Sequence, residues 1–396
     1  MDNSQLKSYN SAWSSNSLNK ILLYLMLYVP SIRPLAKYLP EQLLLIGIGL
    51  YLLGALVGIY LITKKWDMIS NFLNRMSVFA ILVIALIIVN LVIYPRADAL
   101  KTELRGSDQD DNLIIVGEGI LRGESAYHLK TYLGNPISPG PGWALISLPF
   151  VAFHLYALFT PASLLLGGLI IKRYSGEYAK ANLFLLFWMS SLIFWEISVV
   201  GSDMVALGIF FVVAILLSHR IILKTSLEFY LVAILTGLLI TSRINFFYLG
   251  ILLGVFIGKQ NIRQGILFGV ISTATGFLLH GLFMLMTDGF YSPLHLILLP
   301  KPFINSTVLI IGVILCAITG VLTLIYLKPT ILSWLFWGWI CILMPALIMS
   351  LAELFFLKFD FAIWEGANYL FVASPIYLVG YILSAPQIHQ NKPVSL

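Results

Sequence analysis

Three carboxylates stand within four residues of one another at Asp108, Asp110 and Asp111, in the longest polar stretch of an otherwise apolar chain. A carboxylate within hydrogen-bond reach of a hydroxyl takes its proton as that oxygen attacks, which is the work of a general base. Asp108-Gln109-Asp110 also has the spacing that lets two carboxylates, here Asp108 and Asp110, meet one divalent cation such as Mg or Mn, although so short a pattern recurs by chance. The competing explanation is structural. Leu113, Val116, Ile120 and Leu121 follow at helical spacing and the run stops at Gly123, which predicts a short amphipathic helix with Asp110 or Asp111 as its N-cap. One cap does not use three carboxylates. Glu118 and Glu124 fit the solvated face of that helix.

These residues belong to a segment from Pro95 to about residue 142 that holds seven of the chain's eighteen acidic residues. The rest of the composition fixes the class. Of 396 residues, 59% are hydrophobic and 11% charged, and the mean hydropathy is +0.93; soluble domains carry about 25% charged residues. The expectation is an all-α polytopic membrane protein. Residues 1–19 are rich in Ser and Asn and predict a disordered cytoplasmic tail, and residues 20–396 a single transmembrane domain that includes the loop 95–142. Apolar runs recur near 21–29, 43–62, 76–94, 143–171, 181–199, 203–219, 227–242, 245–258, 264–286, 305–327, 331–352 and 367–384, which suggests about 11–12 spans. The first is short enough to lie at the interface, and 143–171 is long enough to be tilted or broken. Cys316 and Cys341 sit in apolar runs without metal-ligand spacing and read as packing residues.

Charge orients the chain. If Lys64, Lys65 and Arg75 face the cytoplasm, alternation puts twelve basic residues on that side and leaves Arg33, Lys37, Arg243, Lys301 and Lys358 opposite. The positive-inside rule therefore makes loop 95–142 extracytoplasmic, in a plasma or inner membrane. The net charge of +6 is spread over short loops with no aromatic-laced patch, so nucleic acid is not a partner.

A span, an acidic cluster, a short helix, Gly123, Tyr127, and then Asn135-Pro136-Ile137-Ser138-Pro139-Gly140-Pro141-Gly142 entering the next span together resemble the first outer loop of the GT-C superfamily of glycosyltransferases. Gly201-Ser202-Asp203 and Ser242-Arg243-Ile244-Asn245 look like patterns of its bacterial mannosyltransferase-like members. The resemblance covers roughly residues 75–260. It implies a polyprenyl-phosphate-sugar donor, a glycan or lipid-linked acceptor, inversion at the sugar, surrounding membrane lipids, and an Asp of the first loop as base: Asp110 or Asp111, with Asp108 as helper or metal ligand. Arg243, Lys301 and Arg122 are then the candidates to hold the donor phosphate, because a leaving phosphate at the membrane surface calls for cations. Arg243 could equally form an ion pair with Asp203 or Glu196. Tyr127, His128, Asp203, Asn245 and Trp364 are candidate substrate contacts. For Asp203 the plainer role is a helix cap, and for Tyr127 an interfacial anchor. The loops Thr287–Phe303 and Glu353–Asn368 fit walls of a groove for the isoprenoid chain.

Two other classes and one enzymatic rival compete. A non-catalytic membrane scaffold explains the spans but not the acidic loop. A lipid or lipid-linked-sugar flippase shares the span count but calls for ionisable residues near the midplane and two matching halves, neither of which the sequence shows. A polymerase or ligase of lipid-linked glycans calls for its large loop later in the chain.

Overall fold

In lipid a backbone must satisfy its own polar groups, so each long apolar run becomes a helix. The computed structural model describes residues 17–103, 106–222, 226–295 and 303–385. Its α-helices are α1 (Ser17–Leu27), α2 (Ile32–Tyr38), α3 (Glu41–Lys64), α4 (Trp66–Leu73), α5 (Met76–Ala99), α6 (Asp111–Leu121), α7 (Pro141–Ala152), α8 (Phe159–Ser175), α9 (Tyr178–Met189), α10 (Leu192–Val199), α11 (Met204–Arg220), α12 (Leu227–Ile240), α13 (Leu249–Gly258), α14 (Ile262–Leu285), α15 (Ser306–Tyr326), α16 (Ile331–Phe356) and α17 (Gly366–Ser384). Among the described residues there is no strand, only an isolated bridge between Lys130 and Pro136. The chain is an all-α, multi-pass membrane protein.

The span count is smaller than the count of apolar runs. Among the described residues α3, α5, α14, α15, α16 and α17 are each long and apolar enough to cross a bilayer, and two bent pairs raise the number to eight if each pair is one span. The run 143–171 turns by 116° between α7 and α8, where His154 takes a φ of 55°. The run 181–199 turns by 80° between α9 and α10. α11, α12 and α13 have 17, 14 and 10 residues, short of the ~20 of a full crossing. An apolar run is thus not always a span, because helices buried by neighbours need not match the bilayer.

Burial sorts the helices. α17 has 89% of its apolar window buried, whereas α3 has 6% and α15 has 11%. The first is a central post wrapped by α11, α16 and α1, and the other two face lipid. Gly208 of α11 lies directly on the Val372 backbone and on Pro375 of α17, an approach that leaves no room for a side chain. The first apolar run is an 11-residue helix docked along the post, with Tyr377 Oη donating to the Asn19 carbonyl at 2.8 Å. Ser17 to Asn19 are therefore helical, while residues 1–16 of the expected tail lie outside the described residues.

Polar segments meet at one end of the bundle. There Gly140 N–H donates to Thr241 O at 2.9 Å, joining the entry of α7 to the exit of α12. Ser125 and Thr287 hydroxyls lie 2.5 Å apart, tying the loop after α6 to the segment after α14. Arg33 Nη1 donates to Glu196 at 2.8 Å and to Asn368 at 3.3 Å, joining α2, α10 and α17. The first two of these contacts tie loop 95–142 to the segments after α12 and α14.

Candidate active site

The three aspartates do three different things. Asp110 occupies the N-cap position of α6, yet its side chain makes no capping hydrogen bond. Its carboxylate turns inward instead. Tyr94 Oη, on the last turns of α5, donates to Oδ2 at 2.6 Å, and Lys101 Nζ donates to Oδ1 at 2.7 Å. Lys101 also reaches Asp111 Oδ1 at 2.6 Å and Asp98 Oδ1 at 2.7 Å, so one ammonium serves three carboxylates. Asp110 is only 1% exposed.

Asp108 and Asp111 fasten the second half of the loop. Asp108 Oδ2 accepts from Thr131 Oγ1 at 2.5 Å and from Asn135 Nδ2 at 2.9 Å. Asp111 Oδ2 accepts from the Tyr132 backbone N–H at 3.2 Å. The expected joint grip of Asp108 and Asp110 on a divalent cation does not fit this arrangement: the two carboxylates are taken by separate donors, and Lys101 supplies the positive charge at Asp110. Among the described residues no group of three or more His, Cys, Asp or Glu side chains is placed to hold a metal ion.

Electrostatics single out Asp110. Burial pushes its carboxyl above the usual carboxylate value, and the hydrogen bonds from Lys101 and Tyr94 work against that push without cancelling it. For Lys101, burial alone would lower the ammonium, but hydrogen bonds to Asp110, Asp111 and Asp98 outweigh it and hold it above its ordinary range.

A second cluster lies two residues along the same wall. The turn between α10 and α11 carries Gly201, Ser202 and Asp203, and it touches both clusters. Asp203, 2% exposed, receives a two-pronged ion pair from Arg243, with Nη2 to Oδ1 at 3.0 Å and Nη1 to Oδ2 at 3.2 Å. Trp143 Nε1 adds a hydrogen bond to Oδ2 at 2.6 Å. Of the two carboxylates weighed for Arg243, the partner is Asp203; Glu196 pairs with Arg33 and Lys37. Asp203 stands at the N-cap position of α11 but makes no side-chain cap. Arg243 Nε and the neighbouring Ser202 Oγ and Ser242 Oγ are buried and have no hydrogen-bond partner among the described residues, which leaves polar capacity in this cluster that the protein itself does not use.

The remaining candidates scatter. Tyr127 is fully buried, its ring edge-on to Phe283 and Tyr291 at 5.9 and 5.1 Å. His128 is exposed. Arg122 is exposed beside Glu118 and Glu124, at 3.8 and 3.5 Å, and does not approach Arg243's cluster through any of these pairs. Trp364 is buried and donates its Nε1 to Ser350, so the indole serves α16. Asn245 is exposed at the rim of a cavity of about 80 Å³ that Arg243, Glu353, Glu365 and Tyr369 also line. Lys301 lies outside the described residues. The structure thus brings together Asp110 with Asp111, and Asp203 with Arg243, and adds four residues that sequence reasoning missed: Tyr94, Lys101, Trp143 and Gly201 in its close-packing role. Lys101 is one of two lysines in the acidic loop, with Lys130, and nothing in its local sequence sets it apart.

No family model matches this chain, nor does any curated protein or any solved structure.

Proposed function

We propose that the chain is an integral-membrane, inverting glycosyltransferase of GT-C type, which moves a sugar from a polyprenyl phosphate to an acceptor hydroxyl on the extracytoplasmic side of a plasma or inner membrane. One observation carries the reading: Asp110 is a buried loop carboxylate that caps nothing and is held by Tyr94 and Lys101. A carboxylate raised by burial is a stronger base than one in water, which suits it to an alcohol nucleophile.

In this mechanism Asp110 takes the proton of the acceptor hydroxyl as its oxygen attacks the anomeric carbon from the face opposite the phosphate. The bond from that carbon to the phosphate oxygen breaks, and the lipid phosphate leaves with the electron pair, so the sugar is inverted. Tyr94 and Lys101 are positioning residues that fix the carboxylate and keep it ionised. Asp203, Arg243 and Trp143 brace the turn that backs Asp110. The crowding of basic residues toward the other side of the membrane supports the extracytoplasmic placement.

The test supplies membranes containing the protein with labelled polyprenyl-phosphate sugars and, in parallel, labelled nucleotide sugars. Transfer from the lipid donor alone is the expected result. Consumption of nucleotide sugar, or movement of lipid-linked sugar between leaflets without transfer, contradicts it.

A further inference from the structure

α14 ends beside the acidic loop, where Thr287 meets Ser125, so its first residue, Ile262, stands roughly 35 Å away at the opposite end of the bundle, at 1.5 Å per residue. From that end a groove of about 720 Å³ runs along the outside of α13 and α14, with Leu324 of α15 at its border. Its floor follows from the sequence. A Cβ on Gly265 would lie against the Gly254 carbonyl, and these two glycines, with Gly258 and Gly269, leave the floor bare of side chains. Ile262, Ile266, Val270 and Phe277 recur at helical spacing along α14, all exposed, and form an apolar rim open to lipid. From Ile262 to Phe277 the groove is roughly 22 Å long, more than the ~15 Å of hydrocarbon in one leaflet.

Charge sits only at the mouth of the groove. Lys259 is the one charged residue in its lining, and Arg263 stands three residues before Ile266 on the same stripe of α14. Both are exposed, and among the described residues neither has a carboxylate at ion-pair distance. Glu228, in the first turn of α12 at this same end, is taken by Arg220 at 3.3 Å. Two unpaired cations at headgroup level above a bare apolar channel are complementary to a lipid with an anionic head. The same charges disfavour a second copy in the channel: of the lipid-facing helices, α3 ends on this side at Lys64 and α15 carries no acidic residue, so neither brings a carboxylate to the mouth.

We propose that this groove binds an anionic phospholipid of the leaflet opposite loop 95–142, with one acyl chain along Ile262, Ile266, Val270 and Phe277 and its phosphate at Lys259 and Arg263. The lipid takes no part in sugar transfer, so the site stands whether or not the chain is a glycosyltransferase. α14 connects it to the loop: His280 lies against Gly140, and Phe283 meets the Tyr127 ring at 5.9 Å. A lipid that binds the folded chain alone stabilises the fold, and here it braces the helix on which the loop rests.

The experiment uses the full chain in vesicles of phosphatidylcholine with a trace of phosphatidylglycerol that carries a photoreactive diazirine in one acyl chain, followed by peptide mapping of the label. A phosphatidylcholine probe with the same acyl chain is run beside it. The phosphatidylglycerol probe is expected to label segments 251–259 and 262–277 at least fivefold more than the phosphatidylcholine probe does. Lys259→Gln combined with Arg263→Gln, both at exposed side chains, is expected to bring the two probes level there. Gly269→Leu fills the floor, where an added Cβ meets nothing nearer than 3.8 Å, and is expected to cut the phosphatidylglycerol label severalfold. If Gly269→Leu fails to fold, the double charge variant decides the matter. Equal labelling of the unaltered chain by the two probes overturns the proposal and makes the groove ordinary lipid-facing surface. A phosphatidylglycerol preference that survives the double charge change overturns it as well. So does an absence of label on both segments, the result of a second copy covering the groove.

Discussion

Gly201 lies so close to Asp110 that a Cβ on Gly201 would stand 2.7 Å from the Asp110 Cβ and 2.9 Å from the Tyr94 ring. Its φ is +72°, a left-handed conformation that side chains resist. Gly201→Ala therefore meets both a strained backbone and a filled space, and the displaced group is the proposed base. The expected outcome is at least a tenfold loss of transfer and a loss of roughly 1–3 kcal/mol in stability. Gly123→Ala is the control: its φ is +74°, but nothing lies within 4 Å of the added carbon. It is expected to cost about 1–2 kcal/mol for the conformation alone and to keep its activity. Thermal unfolding in detergent alongside initial rates separates the two.

The pH dependence follows from the burial of Asp110. A base acts ionised, so transfer falls as pH drops through the raised value, and the acid limb of the rate profile lies above the ~4 of an ordinary carboxylate. Stability runs the other way. Because the folded state holds this proton more tightly than the unfolded chain does, ionising Asp110 costs stability as pH rises from the unfolded value through the folded one. Asp110→Asn is expected to be at least as stable as the unaltered chain at neutral pH.

Lys101 sets where that limb falls. Lys101→Gln leaves Asp98, Asp110 and Asp111 to face one another without a cation, so the acid limb is expected to move up by roughly 1–3 pH units. Lys101→Arg keeps the charge and is expected to move it less. A profile of kcat against pH that does not shift in Lys101→Gln contradicts the role given to the lysine.

Asp203 and Arg243 are both buried, so removal of either strands the other's charge. Arg243→Met is expected to cost roughly 3–5 kcal/mol, and the double change Asp203→Leu with Arg243→Met to recover most of that stability without recovering transfer. A double variant with full activity would show that the pair is not needed to brace the Gly201 turn.

How far these relationships were legible in the sequence depends on their physics. The helical class and the acidic loop were plain, because hydropathy and charge are local properties. The central place of α17 was not: its mean hydropathy of 1.4, against 2.4 for α3, still reads as a span, and hydropathy does not tell a helix facing helices from one facing lipid. The span count departs from the number of apolar runs at α11, α12 and α13, which are shorter than a full crossing, and the run 181–199 bends at Ser190–Ser191; that the run 143–171 is broken, at His154, was among the expectations. The choice between Asp110 and Asp111 was undecidable because neighbours on a helix end point about 100° apart, and only the placement of Tyr94 and Lys101 tells which one turns inward. Asp203 was among the foreseen partners of Arg243, yet no local pattern selects a residue 40 positions away.

The most direct measurement compares Asp110→Asn and Asp111→Asn in the same membranes with a labelled polyprenyl-phosphate sugar. The account predicts that Asp110→Asn, folded and expressed like the unaltered chain, loses transfer by two to four orders of magnitude, the typical worth of a general base. Asp111→Asn, whose side chain pins the Tyr132 backbone, is predicted to retain most of it. Full turnover by Asp110→Asn would contradict the account at its centre.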